Sequence, residues 1–170
     1  VLVSGGTRGI GSAIAQGFAR RNALVVVTGR TAEAASQAAG TLRDGALFPP
    51  VGAACDVADS QQVRRLVESV LEMFGRIDVL INVAGVNRRK PALEVTDDDY
   101  DYILGTNLRG AFLLSREVGR SMVERGAGCQ INIASLNTDR PLKNVMPYAV
   151  SKAGTAHMTR SLAMEWGPSG

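Results

Sequence analysis

Short runs of β-branched and other apolar residues alternate with amphipathic helical stretches almost from end to end of this chain, and few folds accept that rhythm. Residues 1–4, 23–28, 51–55, 77–83 and 130–134 read as strands. Residues 10–21, 31–42, 60–74, a long stretch over 96–124 and residues 148–166 read as helices, the third with Val63, Leu66, Val67, Val70 and Leu71 on one face. Strands with few polar breaks are those covered on both faces, as in a parallel sheet. Joined by right-handed crossover helices, they predict an α/β fold with an open, doubly wound parallel sheet.

With 170 residues, 45% of them hydrophobic, the chain suits a single domain with one sizeable core over residues 1–170. Only 5% are aromatic, which fits helices packed on a sheet better than a base-stacking platform. The net charge of +3 is spread along the whole length, so no nucleic-acid footprint is expected. The one dense basic run, Arg88-Arg89-Lys90, reads as a solvated loop, with an anion site as its sharper alternative. Cys55 and Cys129 have neither disulfide-framework nor zinc spacing, and their apolar surroundings predict buried, reduced thiols. Asp97, Asp98 and Asp99 follow Thr96 at a helix start, where carboxylates complement the dipole and Thr96 with Asp99 forms a capping box, so no metal is expected. No apolar run approaches the roughly 18 residues of a membrane span, and no leader is visible. The expectation is a soluble, cytoplasmic protein, although the sequence opens without Met and both ends look cut.

At the first strand-to-helix turn stands Ser4-Gly5-Gly6-Thr7-Arg8-Gly9-Ile10-Gly11, whose glycines let backbone amides approach an anion at a helix N-terminus. A P-loop needs Lys where this chain has Ser12, so a kinase or ATPase reading fails. Beyond the second strand, where an acid would bind the ribose 2′-hydroxyl of NAD, the chain has Thr28-Gly29-Arg30. Arg30 and Arg8 offer guanidinium forks to a 2′-phosphate, which predicts NADP over NAD.

Tyr148 and Lys152 lie one helical turn apart on one face, and Ser135 ends the preceding strand at the edge where open α/β sheets bind ligands. A phenol ionises near about 10 and an adjacent ammonium favours the phenolate, which brings acid–base work toward neutral pH. His157 has no ligand or triad partner at suitable spacing and reads as structural; Ser135 lacks the setting of a hydrolase elbow.

These motifs, in this order, resemble the short-chain dehydrogenase/reductase family over practically the whole chain. The loop from Ser4 to Gly11 is similar to its TGxxxGxG, with Ser4 for Thr; Asp56-Val57 to the pair bordering adenine; and Asn82-Val83-Ala84-Gly85 to NNAG, with Val83 for Asn. Asn107, Ser135, Tyr148 and Lys152 match its tetrad. The resemblance implies a Rossmann-type sheet and a small-molecule oxidoreductase interconverting a secondary alcohol and a ketone. Ser135 would steady the substrate oxygen, Tyr148 exchange its proton, Lys152 also bind the nicotinamide ribose, and Asn107 hold a proton-relaying water. The implied cofactor contacts are Ser4, Gly5, Thr7, Arg8, Gly9, Ile10, Gly11, Arg30, Asp56, Val57, Asn82, Ala84, Gly85, Tyr148 and Lys152.

The family's sheet continues with two further strands and a substrate lid, so the chain reads as truncated after the fifth strand and its helix. The stretch from Val86 to Glu94 is similar to the corresponding loop of gluconate 5-dehydrogenase-like members, which points to a sugar acid; 3-oxoacyl-carrier-protein reductases share the core motifs. A non-catalytic NADP-binding sensor or scaffold is the alternative of another class. Relatives form tetramers or dimers through the helices carrying Asn107 and Tyr148, so a homo-oligomer is implied.

Overall fold

The computed structural model describes residues 1–170, arranged as five parallel strands in one sheet flanked by six α-helices. The strands β1 (Leu2–Ser4), β2 (Val26–Gly29), β3 (Val51–Ala54), β4 (Val79–Asn82) and β5 (Cys129–Asn132) lie in the order β3-β2-β1-β4-β5. The chain therefore steps outward from β1 to β3, returns to the other side of β1, and steps outward again. That reversal is the switch point at which a doubly wound sheet opens a crevice.

The helices are α1 (Gly9–Ala19), α2 (Ala32–Thr41), α3 (Ser60–Phe74), α4 (Asp97–Leu104), α5 (Gly110–Arg125) and α6 (Met146–Trp166). Successive strand residues point to opposite faces, so Leu2 and Val3 enter different cores. Leu2, Val26 and Leu80 pack under α3 and α5, while Val3, Val27 and Ile81 pack under α1 and α2. The central strands β1, β2 and β4 must therefore be apolar at consecutive positions, whereas β5 at the edge alternates apolar with polar. The stripe expected on α3 is the buried one, through Val63, Leu66, Val67 and Val70. Asp59 caps that helix by accepting from Gln61 N and Gln62 N, and Gly75 ends it in the left-handed region.

Several expectations change in detail. The long helix over 96–124 is two helices joined by a π turn, Gly105–Arg109, whose extra residue rotates Asn107 inward. A single π turn adds one residue within an otherwise α-helical run, a local change too short for the apolar pattern to reveal. The second strand starts at Val26 rather than at 23, because Asn22 turns the chain with a φ of 63°. The fifth ends at Asn132, which leaves Ser135 in the following loop. Cys55 is buried, and burial, with Asp56 and Asp59 nearby, pushes its thiol up to about 11. Cys129 is exposed, contrary to expectation, because β5 is the sheet edge. His157 lies on the exposed side of α6 and belongs to no core. No helix is long and apolar enough to cross a membrane.

Candidate active site

The loops that leave the C-terminal ends of β1 and β4 meet at the switch point, and the residues at their bases hold them together. Ser4 is buried; its Oγ donates to Asn82 Oδ1 at 3.4 Å and accepts from Val83 N at 3.1 Å and Ala84 N at 3.4 Å. Ser4 and Asn82, both expected at the cofactor, thus turn inward and brace the loops that carry Gly5 and Gly85. Gly5 has a φ of +64°, and a Cβ there would lie 2.7 Å from Ala84 Cα. A Cβ on Gly11 would lie 2.3 Å from Gly5 O, so only glycine lets α1 start this close to β1.

The start of α1 is open to an anion. Arg8 is its extended N-cap and supplies no side-chain cap, and no acid sits in the first turn. The unpaired amides of a helix N-terminus and its dipole then favour a phosphate. Arg8, Gly9 and Ile10 are exposed beside it, and Thr7 packs toward Gly29. Arg30 stands exposed just past β2. Asp56 is half-buried at the end of β3, with its Oδ1 accepting from Ala58 N at 3.0 Å, whereas Val57 turns into the core under α5. These residues suit a dinucleotide, with a positive end where a 2′-phosphate would lie.

At the opposite end of the crevice three elements converge. Lys152 is 5% exposed, and its Nζ donates to Ile133 O at 2.6 Å and sits 5.8 Å from the centre of the Tyr148 ring. Burial lowers the Lys152 pKa from that of a free lysine. Asn107, 1% exposed on the π turn, accepts from Val86 N at 2.7 Å and donates to Val86 O at 2.9 Å and Ser151 Oγ at 3.0 Å. A Cβ on Gly85 would fall 3.5 Å from Asn107 Oδ1 and 3.8 Å from Lys152 Nζ, so both polar groups face the loop after β4. Ser135 caps a short 3-10 turn, Leu136–Thr138, accepting from Asn137 N at 3.2 Å; Thr138 of that turn donates to Lys152 O at 3.5 Å.

Residues outside the expected set hold this end in place. Ser151 Oγ donates to Tyr148 O at 2.7 Å while accepting from Asn107. Asn82 Nδ2 donates to Asn132 Oδ1 at 2.8 Å, Asn132 Nδ2 to Thr159 Oγ1 at 2.9 Å, and Thr155 Oγ1 to Ser151 O at 2.8 Å. A polar path thus runs from β1 across the sheet to α6. Tyr148, Ser151, Thr155 and Thr159 recur at three- and four-residue steps, a polar stripe visible in the sequence whose purpose depends on what it faces.

The basic run lies at the surface as expected from its composition, but two of its three cations are also tied to one buried carboxylate. Arg88 and Lys90 both donate to the carboxylate of Asp99, while Arg89 remains exposed without an acid partner. Thr96 and Asp99 form the expected capping box, so the same carboxylate serves a helix end and two cations. Gathered His, Cys, Asp or Glu side chains suited to a metal ion are absent. A groove of about 300 Å³ runs instead along β5, lined by Met122, Cys129, Gln130, Thr159 and Trp166, and holds none of Asn107, Ser135, Tyr148 or Lys152.

The short-chain dehydrogenase family model matches residues 1–170 in full. The chain belongs to that family. Among short-chain dehydrogenase relatives, D-threitol dehydrogenase of Mycolicibacterium smegmatis is 40% identical over 99% of this chain and 65% of its own length. Gluconate 5-dehydrogenase of Gluconobacter oxydans is 36% identical over 99% of this chain and 66% of its own. The chain therefore spans just under two thirds of these relatives. In three dimensions it superimposes with a TM-score of 0.93 on the crystal structure of a Burkholderia cenocepacia gluconate 5-dehydrogenase in complex with NADP and tartrate, at 34% identity, covering 99% of this chain and 66% of that one. The family membership and the five-stranded sheet explain why these motifs follow one another in this order.

Proposed function

We propose that this protein is an NADP(H)-dependent oxidoreductase that interconverts a secondary alcohol and a ketone, with a sugar acid as substrate class. The observation that carries the reading is the convergence of Tyr148, Lys152 and Asn107 beside Gly85, at one end of a crevice whose other end is an uncapped, acid-free helix start. Arg8 and Arg30 would bind the 2′-phosphate, and the amides of Gly9, Ile10 and Gly11 the pyrophosphate. Bound there, the nicotinamide supplies or accepts the hydride.

The chain's own groups handle the proton. Tyr148 hydroxyl donates to the substrate oxygen during reduction and recovers a proton afterwards, while Ser135 Oγ orients that oxygen. Lys152, held beside the ring, favours the phenolate by its charge, an effect strengthened by its dry surroundings. Both donor hydrogens of the Asn107 amide are taken by Val86 and Ser151, so a proton-relaying water would bond to an acceptor there, Oδ1 or the main-chain oxygen. Arg89, exposed and free of any acid partner in the loop after β4, would meet a substrate carboxylate. A cytoplasmic homo-oligomer, associated through α4 to α6 with Phe112 and Tyr100 exposed, completes the reading.

Tyr148→Phe tests the mechanism. Turnover of a keto-sugar acid by the full protein with NADPH is expected to fall by about 10² to 10⁴, with NADPH affinity, measured by fluorescence titration, unchanged. Wild-type turnover in that variant sinks the proton role.

A further inference from the structure

Asp99 is 3% exposed and carries more partners than a helix cap requires. A capping box needs one carboxylate oxygen to accept from the N-cap amide, here Thr96 N at 3.3 Å. Asp99 Oδ2 also accepts from Lys90 Nζ, and Oδ1 accepts from Arg88 at 2.8 Å. The Arg88 guanidinium in turn lies 4.3 Å from the centre of the Tyr102 ring, one turn along α4. The two cations hold the Asp99 carboxyl well below the usual carboxylate range, so the charge is permanent at any working pH.

What these contacts immobilise is the loop after β4. At one end Val86 is bonded through both backbone groups to Asn107. At the other, Lys90 N donates to Asn144 O at 3.0 Å, and Asn144, held at a φ of 64°, belongs to the segment that leads into α6 and Tyr148. The loop thus bridges the two walls of the reacting end. Its middle residue, Arg89, is exposed and makes no ion pair with Asp99, whose two cationic partners flank it in sequence.

We propose that Asp99 is a positioning residue for substrate: its buried carboxylate, bonded to Arg88 and Lys90, fixes the loop over residues 86–91 and thereby sets where Arg89 and the Asn144 segment meet the substrate. This rests on the oxidoreductase reading above. A carboxylate that only capped α4 would be replaceable by any acceptor. One that fixes the loop needs its charge and both oxygens, because a neutral amide leaves two cations without a counter-charge beside the mouth.

Asp99→Asn and Thr96→Ala separate the two roles in the full protein with NADPH bound. Asp99→Asn keeps an acceptor for the cap and loses the charge; the KM for a keto-sugar acid is expected to rise about tenfold to a hundredfold, with kcat within about twofold and NADPH affinity unchanged. Hydrogen exchange is expected to quicken in peptides covering residues 86–91 and 139–147. Thr96→Ala loses the cap and keeps the charge pair; it is expected to lower the melting temperature and leave KM unaltered. Asp99→Glu is expected to recover part of the loss. Wild-type KM and loop exchange in Asp99→Asn, or an equal rise in KM in Thr96→Ala, overturns the proposal. If the unmodified protein turns over no carbonyl substrate, the oxidoreductase reading fails, and the loop exchange of Asp99→Asn alone then decides whether Asp99 fixes the loop.

Discussion

Lys152 is a charge placed where a charge is costly. Only the Ile133 carbonyl bonds its ammonium, and burial lowers its pKa from the ordinary 10.5. The folded group therefore holds its proton less tightly than the unfolded one, so the unfolded chain binds more protons and the stability contributed at this site rises as pH climbs toward 10.5. Replacing the ammonium with an apolar side chain of similar length removes that burden. Lys152→Met is expected to melt at or above the wild-type temperature at pH 7 while losing turnover, with the melting advantage narrowing as pH is raised; thermal denaturation across pH with a parallel activity assay checks it. A lower melting temperature at every pH would make Lys152 a structural residue first. The contrast with Asp99 is instructive: both are buried charges, yet Asp99 has two cationic partners and Lys152 has none, which is the arrangement expected of a group kept for chemistry.

Among the elements, α5 and the π turn before it do the most to position the site. The helix packs Leu113, Leu114 and Val118 beneath β4 and β1, and the π turn leading into it aims Asn107 at the loop after β4. Leu114 is fully buried, whereas Leu93, on the short turn before α4, is fully exposed. Leu114→Ala is expected to cost about 2 to 5 kcal/mol of unfolding free energy through lost transfer energy and the cavity left behind, and Leu93→Ala to stay within about 0.5 kcal/mol. Urea denaturation of both variants checks the pair, with the slope unchanged if only the native core is affected. Equal effects would mean that α5 is not anchored as described. At the other flank, β5 keeps an open edge and leaves Ile131 41% exposed, on the same face as its partner Ile81 but outside the core under α1 and α2.

At the scale of the whole molecule the sheet brings together groups far apart in the chain. The turns after β1 and β2 adjoin, with Thr7 against Gly29, and carry the exposed Arg8 and Arg30 proposed for the adenosine end of the cofactor; β2 itself contributes no acid. Arg30→Asp is expected to lower the ratio of NADPH to NADH turnover by about tenfold or more, since a carboxylate would repel a 2′-phosphate and accept from a ribose hydroxyl. Steady-state rates with each cofactor measure it; an unaltered ratio would remove Arg30 from the binding site. The same sheet joins Ser4, Asn82, Asn132 and Thr159 into one polar path, so the phosphate loop and the helix of Tyr148 share a rigid support.

The order of elements, the two-sided burial of the central strands, the stripe on α3, the capping box at Thr96 and the run of motifs from the glycine loop to Lys152 all follow from local pattern, because side-chain period and cap chemistry act over a few residues. The tertiary structure decided what depends on strand register and on helices meeting across the sheet. It turned Ser4 and Asn82 inward, widened the helix at Asn107, exposed Cys129 at an edge, and paired Arg88 and Lys90 with the buried Asp99. Asn82 meets Asn132 fifty residues along the chain, and no periodicity carries that pairing. Burial and partner choice are properties of the packed molecule, so the candidate site residues could be picked out one by one, and the contacts that hold them in place could not.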